Sequence, residues 1–118
     1  MRSRSTVFFY LIFSLGLLST GMAAEGESAT GQSLAFDRNK GNCLACHAIP
    51  GDPKASSPGN IGPALSGMKS RFPDRTKLRA QIWDATANNP RTSMPPFGKN
   101  KVLTEQEVDL VTDYIHGI

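Results

Sequence analysis

At 118 residues the chain has the length of a single domain. Thirteen basic side chains face ten acidic ones, a formal net charge of +3. Two of the basic residues, Arg2 and Arg4, belong to an N-terminal leader, so the remainder is near +1 and carries no long like-charged tail. That balance gives no argument for a nucleic-acid partner.

The leader has the pattern of a secretory signal. Arg2 and Arg4 precede an apolar stretch from Val7 to Leu18, and small residues follow from Ser19 to Ala24. The apolar stretch is too short for the roughly twenty residues that cross a bilayer as a helix, so no retained membrane anchor is expected. Cleavage is expected after Ala23, to within one residue, with export to the periplasm. The boundaries are then a signal over 1–23, a short polar leader over 24–30 and one folded domain over 31–118. The domain is small, and exported domains of that size commonly need a covalent or metal staple. Its only two cysteines, Cys43 and Cys46, are too close in sequence for a disulfide between them to constrain the unfolded chain.

Along the domain, Gln32 to Lys40 is expected to be a first helix, with Leu34, Ala35 and Phe36 as its apolar residues. Between Ile49 and Gly62, Pro50, Pro53 and Pro58 interleave with Gly51, Gly59 and Gly62, which forbids a long helix or a central strand and predicts a wrapping loop. Asp74 is a good N-cap for a helix running to Asn88, with Leu78, Ile82 and Ala85 on one side. Thr104 and Glu107 have the spacing of a capping box for a last helix, whose stripe is Val108, Val111 and Ile115, widened by Leu110 and Tyr114, with Asp109 and Asp113 opposite. No strand alternation stands out, so the expected class is all-α with long loops. The cluster Lys69, Arg71, Arg75, Lys77 and Arg79 reads either as a solvated helix face or as a surface for an acidic partner.

The chemistry concentrates in Cys43-Leu44-Ala45-Cys46-His47. In a C-x-x-C-H pattern two thiols add to the two vinyl groups of a haem while the next imidazole reaches the iron. A thioredoxin-like redox pair expects a βαβ setting that these residues lack, and a structural zinc needs four ligands where only His116 remains besides the motif. Iron also needs a second axial ligand, for which Met68, Met94 and His116 are the choices. Met94 is preferred, because Pro95 and Pro96 hold it extended in a stiff segment poor in backbone donors. Met68 reads better as core filler, and His116 as an exposed residue compatible with the helix dipole. His/Met ligation raises the potential and suits outer-sphere electron transfer. A ligating imidazole usually donates its other N–H, and the Pro63 carbonyl is the expected acceptor. Trp83 either reaches a haem propionate with its indole N–H or simply packs in the core.

Taken together, Cys43 to His47, Ile61-Gly62-Pro63-Ala64-Leu65, Met94-Pro95-Pro96-Phe97-Gly98 and the capped last helix resemble class I cytochrome c. That resemblance implies three main helices around one covalently bound haem c, first and last helices crossing, with His47 proximal and Met94 distal, and it supports the Pro63 assignment. A closer similarity runs through Leu34 to Cys43, Arg71-Phe72-Pro73-Asp74-Arg75 and Gln81-Ile82-Trp83-Asp84-Ala85-Thr86, which look like the SoxX family of sulfur-oxidation cytochromes. Membership there would imply a heterodimer with SoxA, which couples thiosulfate oxidatively to a cysteine of the SoxYZ carrier. This chain would accept the released electrons and hand them to a soluble cytochrome, with no catalytic residue of its own. The competing expectations are a freestanding periplasmic electron shuttle and a thiol-disulfide oxidoreductase.

Overall fold

A computed structural model describes residues 28–118, so the expected signal and most of the leader lie outside the described residues. The first helix, α1, spans Gly31–Phe36. Thr30 caps it reciprocally with Ser33. It stops short of the expected Lys40 because Asp37 turns extended, at φ −66° and ψ 121°, and its Oδ1 accepts the Asn39 N–H at 2.8 Å. A short aspartate side chain offers the backbone an alternative to the helical ladder, and here it wins.

A one-turn helix that sequence periodicity does not reveal, α2, covers Met68–Arg71, and α3 covers Arg75–Trp83 behind the expected Asp74 cap. The predicted continuation to Asn88 breaks at Asp84, at φ −152°. Its carboxylate accepts from both the backbone and the hydroxyl of Thr86 and starts a separate 3-10 turn at Ala85–Ala87. The last helix, α4, runs Glu105–His116 with the Thr104/Glu107 capping box complete.

α4 is the spine of the core and packs against both α1 and α3. Val108, Val111 and Ile115 are buried, together with Leu34, Ala35, Leu78, Ile82, Ala85, Phe97 and Leu103. The expected flank differs at one position: Leu110 is 41% exposed, and Thr112 is buried in its place with its hydroxyl donating to the Val108 carbonyl at 2.6 Å. The reason lies at the crossing of α1 over α4. A Cβ on Gly31 would lie 2.1 Å from the Leu110 carbonyl oxygen and 2.7 Å from Tyr114 Cβ, so backbone meets backbone there and the Leu110 side chain is left to one side. The described residues form helices, 3-10 turns and loops without strands, so the class is all-α as expected.

The basic cluster does not stand as one free solvated face. Arg75 Nε lies 2.5 Å from Asp113 Oδ1, and Arg79 Nε lies 2.7 Å from Asp109 Oδ1, so two of its members latch α3 to α4. Arg71 donates to the Ala64 carbonyl at 2.8 Å and to the Met68 sulfur at 3.1 Å. Lys69 and Lys77 are exposed, with neither an ion pair nor a side-chain hydrogen bond among the described residues. Among those residues no helix is long and apolar enough to cross a membrane.

Candidate haem-binding site

The motif sits on a tight turn. Asn42 takes a left-handed conformation, φ 45° and ψ 38°, and a 3-10 turn follows at Cys43–Ala45. The N–H groups of Cys46 and His47 both donate to the Cys43 carbonyl, at 3.1 and 2.9 Å, which closes the motif into one tight backbone turn. Both cysteines are half-buried and not joined to each other. Burial pushes the Cys43 thiol up to about 11. A thiol that resists ionisation is the opposite of the activated thiolate that disulfide exchange requires.

The proline/glycine loop returns to brace this turn. Gly59 N donates to the Leu44 carbonyl and Gly62 N to the Cys46 carbonyl, each at 2.8 Å. Gly62 lies flush on the imidazole, so that a Cβ there would fall 2.3 Å from His47 Cε1 and 2.6 Å from Nδ1. One residue on, the Pro63 carbonyl lies 2.6 Å from His47 Nδ1. With Nδ1–H donating to that carbonyl, Nε2 keeps its lone pair as the metal-facing nitrogen. No hydrogen bond from the described residues occupies Nε2. Two unpaired thiols, an oriented imidazole with one free nitrogen and a glycine cradle behind the ring fit a haem c.

The other choices for a sixth ligand separate by their surroundings. Met68 is 2% exposed, inside the hydrophobic core with its sulfur held by Arg71. His116 is half-buried rather than exposed, and its Nε2 lies 2.9 Å from the Phe72 carbonyl, which ties α4 to the end of α2. Met94 is half-buried at the edge of the core, its backbone N–H donating to Thr92 Oγ1 at 3.1 Å and its sulfur 3.9 Å from Gln81 Nε2.

Trp83 belongs to the same side. Its carbonyl accepts from both Gly98 and Lys99 at 3.2 Å, and its ring lies on Gly98, where a Cβ would come within 2.0 Å of Cε3. The Arg79 guanidinium stands 5.5 Å from the ring centroid. The packing role is therefore realised, and the tryptophan clamps the Met94–Gly98 segment onto α3. The Cys43–His47 and Gly59–Pro63 half and the Met94 half meet through the core, where Leu44, Trp83 and Met94 pack on one cluster.

A node that sequence reading did not single out lies behind the motif. Asp52 Oδ2 accepts from Tyr114 Oη and from Gln32 Nε2, both at 2.6 Å, and its Oδ1 accepts the Lys54 N–H at 2.9 Å. One carboxylate thus joins the wrapping loop to α1 and α4. Tyr114 also stacks edge-on against Phe36, with ring centroids 6.1 Å apart.

Sequence comparison places residues 26–115 in the family described as cytochrome c oxidase, cbb3-type, subunit III. The chain belongs to this cytochrome c family. Among solved structures, this cytochrome is similar to one described as the crystal structure of SoxXA from P. pantotrophus, at 25% identity and a TM-score of 0.66. That match covers 73% of this chain and 77% of the other. The cytochrome is thus a SoxX-like member of class I. A protein of Aquifex aeolicus (strain VF5) named as an uncharacterized lipoprotein is 36% identical over 77 residues, 65% of this cytochrome. The match spans only 36% of that relative's length.

Proposed function

We propose that the chain is the monohaem electron-transfer subunit of a SoxAX-type complex, exported to the periplasm, with residues 1–23 removed as a signal, 24–30 a short polar leader and 31–118 the cytochrome domain. The observation that carries the haem reading is the 2.6 Å approach of His47 Nδ1 to the Pro63 carbonyl, directly after two unpaired thiols. In this reading Cys43 and Cys46 would hold one haem c through thioether bonds, and His47 and Met94 would ligate its iron. When bound, the group supplies a one-electron couple whose potential the methionine raises. The chain's own residues do the positioning: Pro63 fixes the imidazole tautomer, Gly62 seats the ring, and Trp83 holds the methionine segment on α3.

The likeness to a SoxXA structure supports a SoxA partner. In that assembly the chain takes electrons released as thiosulfate is coupled to a SoxYZ cysteine and passes them to a soluble cytochrome. Two measurements test the reading. The intact mass of the exported protein should exceed that of the polypeptide from residue 24 by one haem, and the bare polypeptide mass would refute covalent attachment. The haem-loaded chain should co-purify with SoxA. Absence of binding, with thiosulfate-dependent electron flow intact after deletion, would leave a freestanding shuttle.

A further inference from the structure

One polar contact on the Met94 side lies outside the set of residues that would hold the haem. Gln81 is half-buried on α3, and its Nε2 is the hydrogen-bond partner of the Met94 sulfur, at 3.9 Å. The amide is not free to turn away, because its Oε1 accepts from Asn88 Nδ2 at 2.9 Å. Asn88 caps the 3-10 turn that follows the break at Asp84. The break therefore has a consequence at the site: it brings a second amide back over α3 and orients the first one donor-forward. The sulfur is constrained from its own side too, by the Thr92 hydroxyl that accepts the Met94 N–H and by the prolines that follow.

We propose that Gln81 tunes the redox centre, its amide donating to the Met94 thioether and favouring the reduced state, with Asn88 holding the amide in the donating orientation. The inference rests on Met94 being the sixth ligand. A donor on the sulfur draws lone-pair density away from the metal. The ferric ion is the more electron-poor state and loses more by this, so the balance moves toward ferrous. Groups that hydrogen-bond to a ligating atom act on potential in this way even though they never touch the metal.

The test uses the full haem-loaded chain and two readouts, the midpoint potential from a spectroelectrochemical titration and the sulfur-to-iron charge-transfer band of the oxidised protein. Gln81→Leu should keep the band while the reduced-to-oxidised ratio, poised at the wild-type midpoint, falls about threefold, the size of a modest net hydrogen bond. Asn88→Ala, which leaves the donor present but unheld, should shift the ratio in the same direction by less. An unchanged or raised ratio in Gln81→Leu with the band intact would overturn the proposal. Loss of the band in that variant would overturn it too, since Gln81 would then be holding the sulfur in place rather than tuning it. Met94→Ala separates the two readings: persistence of the band there would remove the ligand assignment itself.

Discussion

Gly31→Ala sets two effects of opposite sign against each other. Alanine is the better helix former by up to about 1 kcal/mol in a helix interior, and less at a first position, so local propensity predicts a slightly more stable protein. Tertiary structure predicts the reverse. The new Cβ would lie 2.1 Å from the Leu110 carbonyl oxygen and 2.7 Å from Tyr114 Cβ, both anchored in α4. Neither neighbour is the free end of a flexible side chain, so α1 and α4 must part by about 1 Å to restore ordinary contact. That separation loosens Leu34, Ala35, Val111 and Ile115, which are at most 4% exposed.

Overpacking of this kind costs about 1–3 kcal/mol, leaving a net loss of about 1–2 kcal/mol once propensity is credited. For a domain of this size that lowers Tm by roughly 4–16 °C. Thermal unfolding of the haem-loaded variant, followed by far-ultraviolet circular dichroism, reads the shift. A Tm equal to or above the wild type would mean that the helix crossing is not the tight backbone contact described.

Tyr114→Phe should destabilise the protein at neutral pH and matter less in acid. Tyr114 is the largest of the influences that hold the Asp52 carboxyl below the usual carboxylate range. A depressed folded-state pKa gives stability that is present above the unfolded value, near 3.9, and lost as pH falls through the folded one. The gap between variant and wild type in a urea titration should therefore narrow below about pH 4, and a constant gap would contradict this. Burial, and then Asp52, push the Tyr114 phenol above its ordinary value. Wild-type stability should accordingly fall on the alkaline side above about pH 10, and Tyr114→Phe should lack that loss. Asp109→Asn removes the partner of Arg79 and loosens the latch between α3 and α4. Its destabilisation should be visible at low ionic strength and shrink in high salt, and a salt-independent effect would point to packing instead. Met94→Ala should lower the reduction potential and admit an external ligand such as cyanide, detected by its spectral change. An unaltered spectrum would move the sixth ligand elsewhere.

What could be read from the sequence was local chemistry. Cys43, Cys46 and His47 lie within five consecutive residues, so one turn holds them. Asp74 and the Thr104/Glu107 pair act within three residues of themselves, and both caps are present as expected. The apolar stripe of α4 was legible for the same reason, since Val108, Val111 and Ile115 repeat at helical spacing. Local reading failed where two local devices competed. Asp37 and Asp84 each divert a helix that apolar spacing alone would continue, and a carboxylate that turns back on its own backbone carries no periodic signal.

The sequence by itself determined the Cys43–His47 motif, the starts of α3 and α4 and the all-α class, because each depends on side chains a few residues apart. Only the tertiary structure decided that Gly31, Gly62 and Gly98 are contact points, that Arg75 and Arg79 spend their charge inside the molecule, and that Asp52 and Gln81 face Tyr114 and Met94. These pairings join residues from 13 to 83 positions apart. Their geometry is set by how α1, α3 and α4 pack, and no spacing rule along a chain encodes a distance across a core.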